Sequence, residues 1–163
     1  MNADSNVMDD SVDFVLGLVK DAFKGGPFKE FYNGDPDAIP AFNLPAVIVT
    51  QTADQTSPED SATDDVVDSI VVKVVFDKKD DWSENADPLN MTEHKIRRVM
   101  AARDKTTGKY LPNTVKGALQ TRVYGNNRIN KGMSIAYGII ERPNDLITAE
   151  AHLTLEVEFL VDE

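Results

Sequence analysis

Cysteine is absent from the 163 residues, which excludes a disulfide framework, a thiol nucleophile and any zinc site built on thiolates. Histidine is nearly absent, with His94 and His152 the two present. Neither has partners at metal-ligand spacing, so both read as surface residues. No apolar run approaches the roughly 20 residues that cross a bilayer. The first residues, MNADSNVMDDS, lack the basic start and the apolar stretch of a signal peptide. The chain therefore reads as made and used, or assembled, in the cytoplasm.

Chemical motifs are missing too. Gly25-Gly26 follows a helical pattern rather than opening one, and no Lys-Ser/Thr pair follows in P-loop spacing. The acidic stretch from Asp54 to Asp65 lacks the alternation of an EF-hand, and no serine sits in a G-x-S-x-G elbow. The expectation is a protein that is not an enzyme, with no cofactor and no metal.

What is present is charge, and it is segregated. The net charge is -11. Residues 1–65 carry 3 Lys/Arg against 13 Asp/Glu, whereas residues 92–132 carry 10 against 2. Residues 133–163 return to 1 against 7. A basic segment inside an acidic chain can be a solvated face, or a surface that meets an acidic surface on a neighbouring copy. On the second reading the interface candidates are Arg97, Arg98, Arg103, Arg128 and Lys131. The Asn126–Lys131 stretch reads as a solubilising loop rather than a phosphate track.

Periodicity outlines the elements. Val12, Val15, Leu16, Val19, Ala22 and Phe23 make one stripe of a helix over Ser11–Lys24, stopped by Gly25-Gly26-Pro27. Pro45–Gln51 and Val67–Asp77 read as strands, with residues 52–66 between them a long polar loop. Met91–Arg103 and Asn113–Val123 read as helices, the first capped by Thr92. Met133–Glu141 and Thr148–Val161 read as a closing hairpin around Pro143-Asn144-Asp145. In the last strand Glu150, His152, Thr154, Glu156 and Glu158 mark a wet face. The expectation is one α+β domain over 1–163: a mostly antiparallel four-stranded sheet with helices packed on one face, in the order α-β-β-α-α-β-β.

FYNGDPDAIPAFNLPAVIV, Phe31 to Val49, is the most distinctive stretch. Its prolines limit the freedom of the approach to the first strand. Phe31, Tyr32, Pro36, Phe42 and Pro45 are the expected anchors that pin it to the core.

This stretch, set after an amphipathic helix and before a long loop, a strong strand, a helical pair and a hairpin, resembles the neck and tail-completion proteins of long-tailed bacteriophages. The tail terminators are most similar. The resemblance implies an α/β structural protein of the virion's head–tail junction. Such a protein forms a six-membered ring that caps the tail tube, stops its polymerisation and joins the head. It implies a tail tube protein below, a connector or stopper above, and genomic DNA passing through the lumen without specific binding; no membrane is involved. The loops Gln51–Val66 and Tyr124–Gly132 would be its working parts. The alternatives are another neck protein or a tail tube subunit, which would carry more sheet and a long lumen-forming hairpin. A reading of a different class, a small-molecule-binding or enzymatic domain, needs a pocket with convergent polar groups and perturbed acids.

Overall fold

The structure, a computed structural model, describes residues 7–82, 91–120, 123–124, 127–130 and 132–162. Helix α1 (Ser11–Ala22) starts at a reciprocal cap. Asp10 accepts from the Asp13 N–H at 2.9 Å, and Asp13 accepts from the Asp10 N–H at 3.2 Å. Its stripe of Val12, Val15, Leu16 and Val19 is buried. Strand β1 (Glu30–Asn33) follows, and residues 34–45 carry the chain to β2 (Ala46–Pro58). These two strands pair in parallel, Phe31 beside Val47. A parallel pair needs a crossover of about a dozen residues, which the proline-rich stretch supplies.

β2 turns into β3 (Thr63–Asp77), and the two pair from Ala46–Val75 to Pro58–Asp64. Helices α2 (Thr92–Ala101) and α3 (Val115–Leu119) come next. Strands β4 (Val123–Tyr124), β5 (Asn127–Ile129), β6 (Ser134–Arg142) and β7 (Leu146–Asp162) complete the chain. The sheet is mixed and runs β1-β2-β3-β7-β5-β4, with β6 also on β7. β6 pairs with the first part of β7 and β5 with residues 157 and 158, so the two share one edge of β7 in succession.

The four-stranded, mostly antiparallel sheet in the order α-β-β-α-α-β-β is therefore corrected. The protein is mostly sheet, and one pairing is parallel. Three added strands are too short to leave a period in the sequence. The polar loop expected at 52–66 is also corrected. Those residues extend β2 and β3, and the turn between the strands is confined to residues 59–62. Their pairing comes from β3, which is itself held along its length by β7.

The main core lies on one face of the sheet. Val47, Val49, Ile70, Val72, Val74, Leu153 and Leu155 meet the stripes of the three helices, including Ile96, Met100, Val115 and Leu119. Asp81 rather than Thr92 caps α2. It accepts from the Thr92 N–H at 2.8 Å and from its hydroxyl at 2.6 Å. A smaller core of Ile39, Leu44, Ala46, Ile48 and Val75 covers part of the reverse face under residues 34–45.

The expected anchors divide. Phe31 is half-buried and edge-on to Phe28 at 6.0 Å. Tyr32 packs on the reverse core, and its hydroxyl accepts from Asn43 at 2.9 Å. Pro36 and Pro45 are half-buried, and the Pro45 carbonyl accepts from the Lys29 N–H at 2.8 Å. Phe42 is not an anchor, since it is 78% exposed. It lies in the 3-10 turn Ala41–Asn43, where Ile39 and Leu44 take the inward positions.

Candidate functional site

Two surfaces of opposite character stand out. The first is an arm made by the outer parts of β2, β3 and β7. The helical layer ends at Asp68, where the Ser11 hydroxyl donates to the carboxylate at 2.5 Å and Gln51 donates to its other oxygen at 3.1 Å. Beyond that point, among the described residues, no helix lies over the strands. Residues 51–56 of β2 are exposed, as are Leu160 and Val161 of β7. Residues 52–70 hold Asp54, Glu59, Asp60, Asp64, Asp65 and Asp68, with no lysine or arginine. Glu156 and Glu158 of β7 add to the same charge. At the tip Asp60 accepts from the N–H groups of Ala62 at 2.7 Å and Thr63 at 2.9 Å. These bonds, that from Ala62 foremost, hold the Asp60 carboxyl below its ordinary range, so the tip stays charged.

The second surface is basic and aromatic. Residues 102–111 fold back on themselves: Leu111 N–H donates to the Ala102 carbonyl at 2.9 Å and Asp104 N–H to the Lys109 carbonyl at 2.7 Å. The turn uses Gly108 at φ 74°, a conformation that suits glycine. α3 then packs against the end of this loop. Thr114 caps α3 by accepting from Gly117 N–H at 3.0 Å and donates to the Leu111 carbonyl at 2.7 Å. Gly117 is required here, because a Cβ would stand 1.9 Å from the Leu111 carbonyl oxygen.

This fold-back places Tyr110 between two cations. Its hydroxyl accepts from Arg103 at 2.7 Å and from Lys116 at 2.8 Å. Both cations also lie near the ring, at 4.6 and 4.5 Å from its centre. The Lys116 bond foremost, against the effect of burial, pulls the phenol below its ordinary pKa. Arg103, Gly108, Lys109, Tyr110, Gly117 and Gln120 line the resulting cleft. Next to it a groove of about 350 Å³ runs between α2 and β6, lined by Ile96, Arg97, Tyr137 and Ile139 and also by the carboxylates Glu93 and Glu150, which are paired with Lys78 and Arg142. Tyr137 and Ile139 are 49% and 55% exposed. Burial raises the Tyr137 pKa, with smaller effects of Arg97 and Tyr110 that tie the two surfaces into one neighbourhood.

The arginines expected at an interface are not gathered into one patch. Arg97 and Arg103 belong to the basic aromatic surface. Arg98 lies on the other side of α2, beside Pro27, Pro45 and Phe76. Arg128 sits on β5 opposite Glu158, at the root of the acidic arm. Lys131 and Asn126 lie outside the described residues. The cluster of Lys109, Tyr110 and Lys116 was not singled out in the sequence. Its signal is a lone tyrosine with lysines on both sides, in KTTGKYLPNTVK.

A third feature corrects the wet face of β7. The Glu150 side chain is fully buried and bound by Arg142 at 2.6 and 2.8 Å, by the Thr148 hydroxyl, and by a His152 ring nitrogen at 3.0 Å. Gly138 stands opposite Glu150 on β6, and Arg142, four residues further along the same strand, supplies the guanidinium. Burial alone would raise the Glu150 pKa. The bonds from His152, Arg142 and Thr148, with the Arg142 charge, outweigh it and hold the carboxyl at about 2. A carboxylate locked this way is not poised to donate or take a proton near neutrality. His152 is thus half-buried rather than on the surface, and so is His94. Among the described residues no group of three or more His, Asp or Glu side chains is placed to hold a metal, and no helix is long and apolar enough to cross a membrane.

No family model matches the chain, and a comparison with curated proteins finds no match.

Proposed function

We propose that this protein is a structural subunit of a bacteriophage head–tail junction that assembles head to tail into a ring, with the tail terminator as the leading assignment. The observation that carries the reading is the pair of complementary surfaces on one subunit, an acidic arm and a basic aromatic face. Contact between two different patches of identical subunits is heterologous, and such a contact closes into a ring when its rotation allows. The layout around Phe31–Val49 supplies the particular family, through its resemblance to tail terminators. An acidic surface also suits a conduit, because like charge keeps a passing duplex from sticking. In this reading the ring caps the tail tube, a connector or stopper sits above it, and the work is done at the head–tail junction of the virion.

A second reading is favoured by one observation. The β2–β3 hairpin is long and the protein is mostly sheet, which suits a tail tube subunit. Negative-stain imaging with mass photometry, with and without tail tubes of the same virion, separates them. Rings, or caps at one tube end, are expected for the terminator. Self-polymerisation into tubes would move the assignment to the tube subunit. A monomer that ignores the tubes would overturn both.

A further inference from the structure

We infer that the acidic arm of one copy docks on the basic aromatic face of the next, its tip carboxylates entering the cleft of Arg103, Lys109, Tyr110 and Lys116, and its exposed Leu160 resting on Tyr137 and Ile139. The inference rests on the ring reading and names the contact that would build it.

Composition matches on both sides. The arm combines carboxylates with the exposed Leu160, which shares a strand face with Glu156 and Glu158, while Val161 points to the opposite face. The receiving face combines cations with the exposed Tyr137 and Ile139. An interface of this kind needs a buried apolar centre and charges that fix register and speed the encounter. Among the described residues no carboxylate lies within ion-pair distance of Arg103, Lys109 or Lys116. The nearest acid in the loop, Asp104, spends its carboxylate on the N–H groups of Thr106 and Thr107.

The two surfaces cannot meet within one molecule. Tyr137 pairs with Ala151 of β7, whereas Thr63, at the base of the tip, pairs with Asp162. Ala151 and Asp162 lie eleven positions apart along extended strand, about 37 Å at the usual rise. The arm is continuous sheet along that length and cannot fold back. A second copy is therefore the partner.

The absence of cysteine gives a clean cross-linking test. Asp60→Cys protein is mixed with Lys109→Cys protein under the conditions of the imaging experiment and treated with a short bismaleimide. Asp60→Cys mixed with Asp21→Cys, on the exposed side of α1, is the control. A cross-linked dimer in the first mixture and not in the control is expected. In parallel, Lys116→Glu should weaken association about tenfold or more, and Glu59→Lys with Asp60→Lys on the same chain should recover part of the loss. Rings or tube caps that form without the Asp60–Lys109 cross-link would overturn this contact and leave the ring standing. Absence of any assembly, alone or on tubes, would overturn the ring and the contact with it.

Discussion

Glu150 and Glu158 lie on the same face of the same strand, eight residues apart, and meet opposite fates. Glu150 is buried, paired with Arg142 and His152, and held at about 2. Glu158 is half-buried in the arm, opposite Arg128 and beside Val67, and the two are not ion-paired. Alternation along β7 tells which face a residue takes. Coverage of that face is decided elsewhere, by Arg142 of β6 and by the stretch 34–45 on one half, and among the described residues by nothing comparable on the other. The body of the sheet has helices on one face and the 34–45 stretch over part of the other, and among the described residues the arm has neither.

The sharpest test of this contrast is charge removal. Arg142→Met leaves Glu150 buried without its partner and should cost about 3–5 kcal/mol in urea unfolding. Arg128→Met, which removes an exposed cation in the arm, should change stability by about 0.5 kcal/mol or less. Equal losses would erase the distinction. Apolar truncation comes next. Leu153→Ala should cost about 2–5 kcal/mol, while Leu160→Ala should stay within about 0.5 kcal/mol.

Acid titration sharpens the same point. The folded Glu150 pKa is depressed from an ordinary 4.5 to about 2. Its contribution is therefore complete above pH 4.5 and is lost as pH falls through that window towards 2. Thermal unfolding of wild type should show this loss, Glu150→Gln should lack it, and Glu158→Gln should keep it. The smallest effect has the opposite sign. Asp54 faces Asp68 across β2 and β3, a like-charge pair. Asp54→Thr should raise the subunit's own stability by about 0.2–1 kcal/mol in chemical denaturation. A loss instead would mean that the arm's charge serves the subunit's own fold.

Much of the closed half was legible in the sequence. The stripe of α1, the alternation of β3 and β7 and the turn at Asn144-Asp145 are local patterns, and local patterns mark elements that bury one face. The arm was not legible for the converse reason. Thr52 to Asp65 has no apolar alternation, and its strand conformation is imposed by backbone pairing with β3 and, through it, β7. Phe42 was misread because aromatic identity says nothing of the direction a 3-10 turn gives a side chain. The cleft around Tyr110 depends on a fold-back that brings residue 103 to residue 116. No period records that approach, though Gly108 and Gly117 mark its two tight points.

One unbroken ladder ties the arm to the body. β3 and β7 stay in register from Asp77–Thr148 to Thr63–Asp162, whereas β2 shifts register between Gln51 and Ala53. Mechanically this makes the arm a cantilever and not a tether. Deflecting its tip bends the two strands that also form the floor beneath α1 and α2. A load applied at Asp60 is therefore felt as torque under the helices, and the tip and the helical layer share one stiffness.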